Sequence, residues 1–360
     1  MTPATDMPPL ALSMGEPAGI GAEIALKAWA QSKMAALPPF FIIADPDHLR
    51  DEAARHGIAA PLQVIAEPAE ANAAFATALP VLPIRLAAKP QPGKPDAVNA
   101  PMTIAAIERA VELARSGAAG AVVTNPIHKA ALYATGFKHP GHTEFIADLC
   151  GVRHPVMMLA APELRVVLVS IHVSLRQAID SLNSDSIRAV AEIAAAALRR
   201  DFGIAKPRLA VAGLNPHAGE AGAMGNEDAA IVQPAVQALR QAGIDAFGPL
   251  PPDTMFHAEA RAGYDAAICM YHDQGLIPLK TLDFERGVNV TLGLPILRAS
   301  PDHGTAFDIA GKGIAKPGSL IAALHLAAEM VRHRAAFDRA VSSPAAFDRA
   351  ASSNAAYDAN

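Results

Sequence analysis

The chain has 360 residues, of which 51% are hydrophobic and 18% charged, a composition typical of a globular protein rather than a disordered one. The net charge of −5 offers no basic surface for nucleic acid, and the two widely separated cysteines argue against a disulfide framework. No basic leader with an apolar core precedes the first strand, and no apolar run approaches the roughly 20 residues of a membrane span. We therefore expect a cytoplasmic protein with small-molecule partners.

Short apolar runs alternate with amphipathic segments along most of the chain. The runs are rich in Val, Ile and Leu, which favours strands buried on both faces, as in parallel sheets covered by helices. The predicted strands are Leu10–Ser13, Phe40–Ala44, Ala121–Thr124, Arg165–Ile171, Arg208–Leu214 and Asp265–Tyr271, and the clearest helices are Thr103–Arg115, Asp185–Arg200 and Ser319–Arg332. This alternation of strands and helices predicts an α/β fold.

Residues 335–360 differ from the rest of the chain. The segments AAFDRAVSSP, AAFDRAASSN and AAYDAN repeat there with a ten-residue period. The repeats hold too few apolar residues for a core and are too few for a solenoid. We expect an appendage beyond the main fold, helical only in part.

Three histidines follow predicted strands: His172, His217 and His272. Ligands of open α/β sheets bind beyond the carboxyl ends of the strands, so the three imidazoles could converge. Three neutral imidazoles would leave open coordination positions for a catalytic metal. The spacing contains no local motif such as HExxH, and ordinary hydrogen-bonded loop histidines remain the alternative.

Two segments are candidates for binding anions. MGEPAGIGAE, residues 14–23, is a Gly-rich turn between a strand and a helix, and it is not a GxGxxG fingerprint. GHTEFIADL, residues 141–149, places His142 and Thr143 at a predicted helix N-terminus, where free N–H groups favour phosphate or carboxylate. Lys280, Asn289 and Arg298 suit the same anions. Ordinary turns, helix caps and solvated surface positions are the alternatives.

A third segment, DHGTAFDIAGKGIAKPGS, covers residues 302–319 and is dense in Gly and small polar residues. Its length and composition suit a loop that holds a nucleotide through backbone groups. A long turn without a ligand is the competing interpretation.

Eight segments, in order, resemble motifs of the 4-hydroxythreonine-4-phosphate dehydrogenases of pyridoxal phosphate biosynthesis. They are GEPAGIGAE, TNPIHK, GHTEF, GLNPHAGE, GPLPPDTMF, YHDQGLIPLK, GVNVTLGLP and HGTAFDIAGKG, and the resemblance runs from Leu10 to Arg332. It implies a two-domain α/β/α fold similar to isocitrate and isopropylmalate dehydrogenases, with a cleft between the domains. On this basis residues 1–125 and 274–334 form a cofactor-binding domain, residues 126–273 a second domain with the dimer interface, and residues 335–360 the repeat-like tail.

The resemblance also implies the site residues. The metal ligands are His172, His217 and His272, and the substrate-binding residues are His142, Thr143, Lys280, Asn289 and Arg298. The NAD or NADP site includes Gly15, Glu16 and Gly19 of the Gly-rich turn, and His303, Gly304, Asp308 and Ile309 of the segment that looks like the cofactor loop of isopropylmalate dehydrogenases. Members of the family are homodimers whose metal ligands come from both chains. The metal is zinc, cobalt or magnesium, and three histidines favour zinc or cobalt.

The implied reaction is the metal-dependent oxidation of 4-phosphooxy-L-threonine by NAD(P) to a 2-amino-3-oxo-4-phosphooxybutanoate, which then decarboxylates. The proton acceptor is left open among Lys280, Asp253 and Asp273. Glu16 and Ala22 stand where the family usually has Asp and Pro, a departure that bears on cofactor or substrate preference.

Two alternatives remain. One is a dehydrogenase of the same fold that acts on a four-carbon sugar-acid phosphate or on a dihydrodiol. The other, from a different class, is a metal-dependent phosphate-ester hydrolase or binding protein that needs no nicotinamide.

Overall fold

A twelve-stranded sheet runs through the computed structural model, which describes residues 7–342. The strands are β1 Leu10–Ser13, β2 Phe40–Ala44, β3 Leu62–Val64, β4 Leu79–Pro83, β5 Val122–Thr124, β6 Val156–Ala161, β7 Leu164–Leu168, β8 Arg208–Ala212, β9 Asp245–Leu250, β10 Ala266–Cys269, β11 Val288–Leu292 and β12 Arg298–Pro301. Their order in the sheet is β3-β4-β2-β1-β5-β12-β11-β6-β7-β10-β8-β9.

Helices separate most of the strands, as an α/β fold requires. They are α1 Gly21–Ala30, α2 Pro46–His56, α3 Ala71–Ala74, α4 Ala100–Arg115, α5 Lys129–Tyr133, α6 His142–Leu149, α7 Leu175–Ser181, α8 Ser184–Arg200, α9 Gln233–Gln241, α10 Ala258–Arg261, α11 His272–Leu282 and α12 Gly318–Val341. The α/β class predicted from the sequence is confirmed.

The sheet consists of two parallel arrays joined by antiparallel strands. The first array runs from β3 to β12, and the second contains β7, β10, β8 and β9. Between them, β11 is antiparallel to both β12 and β6, and β6 is antiparallel to β7. The expectation of parallel strands therefore holds for the two arrays and is wrong in the middle, where Pro162 and Glu163 close a tight β6–β7 hairpin.

Strand β6 shows why the apolar runs barely alternate. Its even-numbered residues, such as Met158, belong to the large apolar core that also covers the first array, α8 and α12. Its odd-numbered residues, such as Leu159, belong to a smaller core that includes Leu276 and Leu279 of α11. Successive side chains of a strand point to opposite faces, so a strand covered on both faces needs an apolar residue at every position.

The element boundaries follow the prediction closely at the start of the chain and less closely later. Strands β1 and β2 have the predicted limits, whereas β7, β8 and β10 end before the predicted residues. The last helix continues nine residues past Arg332 to Val341, so residues 335–341, at the start of the first tail repeat, are part of α12. The remaining repeats lie outside the described residues. In the part of the chain described here, we find no helix with the length and apolarity to traverse a bilayer.

Candidate active-site cleft

A cleft of about 460 Å³ lies at the middle of the sheet, where the two arrays meet. Its walls come from the segment after β5, the first turn of α6, α11, β11, β12 and the loop after β12. All five predicted substrate-binding residues line it, namely His142, Thr143, Lys280, Asn289 and Arg298. The structure thus brings together five side chains that are distributed along the sequence from His142 to Arg298.

Arg298 is a buried cation in the wall of this cleft. It begins β12 and is only 3% exposed. Its guanidinium donates to the hydroxyls of Thr124 at 2.7 Å and Thr291 at 3.1 Å. Burial lowers the pKa of Arg298 to about 10, and Glu144 counteracts that shift only in part. Because its two partners are neutral, the guanidinium keeps its attraction for an incoming phosphate or carboxylate.

His142 begins α6, as the sequence predicted, and follows Gly141 in extended backbone. Burial lowers its pKa well below the usual 6.5, and the positive charges of Arg298 and Lys129 lower it further. The imidazole is therefore neutral at physiological pH and can donate one hydrogen bond without adding charge to an already cationic wall.

Within residues 7–342, four buried polar atoms of cleft residues have no hydrogen-bond partner. They are His142 Nε2, Asn289 Oδ1, Arg298 Nε and His303 Nε2. Buried polar groups in proteins are nearly always hydrogen-bonded, so several unpaired ones around one cavity indicate a polar ligand.

Lys280 has a partner that sequence reasoning missed. Its Nζ lies 2.8 Å from Oδ2 of Asp302, and both residues line the cleft. Lys129 and Glu144 line it as well. Lys129, Glu144 and Asp302 belong to the segments TNPIHK, GHTEF and DHGTAF, and this membership was the available clue, because residues of one short segment share the same turn.

A pair of histidines adjoins the cleft. The rings of His172 and His272 lie 6.0 Å apart between centroids and line a pocket of about 280 Å³ that shares His172 with the cleft. Oδ1 of Asp273 accepts a hydrogen bond from Nδ1 of His272 at 2.7 Å, a contact that orients the ring as in many metal sites. A Cβ at Gly275 would lie 2.9 Å from Leu168, so this glycine allows α11 to pack closely on β7 and places His272 near His172.

His217 is not part of this pair within one chain. It lies exposed in a turn after β8 and lines neither pocket, and Asp253 is likewise exposed and outside both linings. Over the described range 7–342, no three His, Cys, Asp or Glu side chains are grouped so that they could hold a metal ion. Burial and nearby Lys129 lower the pKa of His172, which keeps that imidazole neutral and available as a ligand.

The two predicted cofactor segments contact each other. Ile20 N, within the Gly-rich turn, donates to Thr305 O at 3.2 Å, and a Cβ at Gly19 would lie 3.0 Å from the same oxygen. Gly15 has a φ of +74°, and a Cβ there would lie 2.6 Å from Pro126 O, so a side chain would push the turn away. From the second segment, His303 and Gly304 line the cleft.

The other residues of these segments lie nearby in the chain. Asp308 is exposed and Ile309 partly buried in the same loop. Glu16 is buried and accepts a hydrogen bond from Ala18 N at 3.1 Å. Burial raises the pKa of Glu16, the backbone hydrogen bond lowers it, and the negative charge of Asp96 raises it further. The Gly-rich turn and the loop after β12 thus form one continuous wall beside the cleft.

A buried ion pair anchors the far end of the loop. Lys27 Nζ lies 2.7 Å from Oε1 of Glu23, which is 1% exposed, and donates to the carbonyls of Gly313 and Ala315, both at 2.8 Å. Ala315 N donates to the same Glu23 oxygen at 2.9 Å. Helix α1 therefore holds the loop through charge-assisted hydrogen bonds.

The sequence model described as "Pyridoxal phosphate biosynthetic protein PdxA" matches residues 36–327. This chain belongs to the PdxA family. It is 53% identical over 333 residues to the 4-hydroxythreonine-4-phosphate dehydrogenase of Bradyrhizobium diazoefficiens, covering 89% of this chain and 96% of the relative. With the enzyme of that name from Caulobacter vibrioides it shares 53% identity over 332 residues, covering 91% and 98%. The resemblance inferred from the eight motifs is confirmed.

Solved structures agree with this assignment. The 4-hydroxythreonine-4-phosphate dehydrogenase of Klebsiella pneumoniae superposes with a TM-score of 0.83 at 41% identity, over 91% of this chain and 98% of that one. A terephthalate 1,2-cis-dihydrodiol dehydrogenase of Burkholderia xenovorans superposes with a TM-score of 0.61 at 31% identity, over 89% and 97%. The PdxA fold is therefore shared with a dehydrogenase that is named for a different substrate.

Proposed function

We propose that this protein oxidises 4-phosphooxy-L-threonine at C3 with NAD or NADP, and that the 2-amino-3-oxo-4-phosphooxybutanoate formed then loses CO2. The relatives at 53% identity carry the name of this activity. The observation that supports it most is the cleft itself, where the anion-binding residues, one histidine of the adjoining pair and the start of the cofactor loop share one cavity.

The anionic groups of such a substrate match the wall that contains Arg298. A guanidinium with two neutral partners and a free Nε–H can donate to phosphate or carboxylate oxygens, and neutral His142 can add a donor at the start of α6. Thr143 and the first N–H groups of α6 favour the same charge. Lys280 and Asn289 would complete the clamp.

His172, His272 and His217 would hold the divalent cation. The first two rings face the same pocket, and the contact between His272 and Asp273 is what a metal-ligating histidine usually has behind it. Imidazole donors favour zinc or cobalt over magnesium. When bound, the cation supplies a Lewis acid for the alcohol and the ketone, and the nicotinamide supplies the hydride acceptor.

The chain itself must orient the substrate and accept the hydroxyl proton. Lys280 lines the cleft, Asp273 contacts His272 outside the lining of the cleft, and Asp253 lines neither pocket. We therefore favour Lys280, which would accept the proton as the neutral amine, with Asp302, 2.8 Å from Nζ, positioning it and stabilising the ammonium that forms. The loop after β12, anchored by Lys27 and Glu23, would support the adenosine part of the cofactor.

We further propose a homodimer in the cytoplasm. Large apolar side chains are exposed around the histidine pair, on α7 and along α11: Val173, Leu175, Ile179, Ile277, Leu282 and Phe284. A second copy could cover this surface and supply His217, which lines neither the cleft nor the histidine pocket of its own chain. Residues 126–273 would contribute three of these side chains, and residues 274–334, which with residues 1–125 form the proposed cofactor side, would contribute the other three.

The test is NAD and NADP reduction with 4-phosphooxy-L-threonine, a four-carbon sugar-acid phosphate and a terephthalate cis-dihydrodiol, before and after chelation and with zinc, cobalt or magnesium added back. We expect turnover of the phosphorylated amino acid only, lost on chelation and restored by a metal. Turnover of the dihydrodiol instead would favour the alternative that the Burkholderia xenovorans structure suggests. If neither NAD nor NADP raises Tm, the result would favour the alternative of a hydrolase or binding protein.

A further inference from the structure

The turn that carries His217 has an unusual backbone. Five consecutive residues, His217 to Ala221, have φ angles of 53°, 51°, 79°, 40° and 55°. Four of them are not glycine, and an L-residue in the left-handed region is disfavoured because its Cβ approaches the following carbonyl. Such a run persists only when its surroundings impose it, and it often marks a functional site.

A buried carboxylate lies against this turn and binds the two residues that lead into it. Asp228 is 1% exposed, and its Oδ1 accepts from Leu214 N at 2.7 Å. Its Oδ2 accepts from Asn215 N and from Asn215 Nδ2, both at 3.0 Å. The turn rests against the same group, since a Cβ at Gly219 would lie 3.4 Å from Oδ2. Asp228 thus holds the segment that enters the turn and supports its middle.

The side chain of Gln274 connects the segment that enters the His217 turn with the residues just before His272. Its Oε1 accepts from Met270 N at 2.7 Å, and its Nε2 donates to Gly213 O at 2.7 Å. Gln274 is 7% exposed and lies two residues after His272 in the first turn of α11. One side chain therefore connects the ends of β10 and β8, the strands that precede His272 and His217.

The left-handed turn contributes no apolar side chain to the core. His217 and Glu220 are exposed, and the turn contributes Gly219 as its buried residue. An exposed imidazole held in strained backbone by a buried carboxylate is better explained by a ligand outside the chain than by stability.

We propose that Asp228 is a positioning residue that holds the left-handed turn so that His217 of one copy ligates a divalent cation at His172 and His272 of a second copy. The proposal rests on the proposed function, in which these histidines share a metal. It adds that the geometry of the third ligand is set by a carboxylate that does not touch the metal.

The experiment compares D228N with D245N, a matched change at an exposed aspartate at the start of β9. Asn keeps the size of the side chain, but it exchanges one acceptor oxygen for an NH2 group that faces Leu214 N or the two donors of Asn215. The Kd for Co²⁺ is measured by calorimetry on the dimeric proteins, together with the visible absorption of the bound cobalt. We expect D228N to bind Co²⁺ about tenfold more weakly with an altered spectrum, and D245N to match the parent.

Two further variants make the result decisive. H217A tests the metal assignment alone, and unchanged Co²⁺ binding in that variant would overturn the proposed metal site. If H217A weakens Co²⁺ binding and D228N does not, the metal site stands and the positioning role of Asp228 is wrong. If D228N fails to fold, D228E shifts the carboxylate by one methylene; weaker Co²⁺ binding with an altered spectrum would support the proposal, and parent affinity with the parent spectrum would refute it.

Discussion

The anion-binding wall and the histidine side of the site are built in opposite ways. Arg298 is 3% exposed, is held by hydroxyls from β5 and β11, and lies in a cavity that one chain forms by itself. His272 is half-buried in a pocket that exposed apolar side chains such as Val173 also line, whereas His217 is exposed and lines neither that pocket nor the cleft. The proposed anion site is preorganised by folding, whereas the proposed cation site would need a second copy.

The difference separates two physical requirements. A buried guanidinium is costly unless the fold surrounds it with polar partners, so the anion site must be completed within the folded chain. Neutral imidazoles at a surface cost the fold little free energy, and they act as ligands once a cation brings them together. Folding stability and assembly should therefore respond differently to changes on the two sides.

The largest effect is expected for H272A. Loss of a metal ligand should lower kcat/KM by about 10³-fold, because the Lewis acid that stabilises the developing charge is lost. Inorganic phosphate should still raise Tm, since the anion wall is untouched. H154A, at an exposed histidine outside the cleft lining, is the control. Loss of the phosphate effect in H272A would show that the two sides are not independent.

The converse change is R298M. We expect kcat/KM to fall about 100-fold through lost charge-assisted hydrogen bonds to the substrate. The free energy of unfolding should stay the same or increase, because a buried charge with neutral partners is replaced by an apolar chain of similar length. Urea unfolding and steady-state kinetics measure the two quantities, with the exposed Arg199 changed to Met as the control. A large loss of stability would mean that Arg298 serves the fold and not the ligand.

An intermediate effect is expected for I277E. Ile277 is 62% exposed on α11, and a carboxylate there should weaken dimerisation at least about tenfold if a second copy covers it. Activity should fall with dilution while phosphate binding by the monomer remains. M34E replaces an apolar residue that is 84% exposed elsewhere and should leave the sedimentation profile unchanged. A dimer that I277E does not weaken would place the interface on another surface.

The smallest effect concerns His142 and pH. Its pKa in the folded protein is lowered well below 6.5, so as pH falls through about 6.5 the unfolded chain binds a proton that the folded chain does not. This residue therefore lowers stability as the pH falls from about 7 to about 5. H142Q should lose part of that pH dependence of Tm, and H154Q should keep it. An identical slope in H142Q and the parent would contradict the shifted pKa.

Local sequence was sufficient for much of the architecture. Strand β1, strand β2 and the start of α6 at His142 were predicted at their observed positions, because an apolar run and a helix N-terminus depend on neighbouring residues. The motifs that resemble those of the family also identified residues that line the cleft. Each motif is a short contiguous segment, so it can be recognised from local sequence alone.

Only the tertiary structure decided which of these pieces meet. Arg298 donates to Thr124, 174 residues earlier, because β12 inserts between β5 and β11, and no local pattern encodes that pairing. The same holds for the contact of Lys280 with Asp302 and for the carboxylate of Asp228 under the His217 turn. The sequence determines which chemical groups the chain carries, whereas strand order and long-range packing determine which of these groups contact each other.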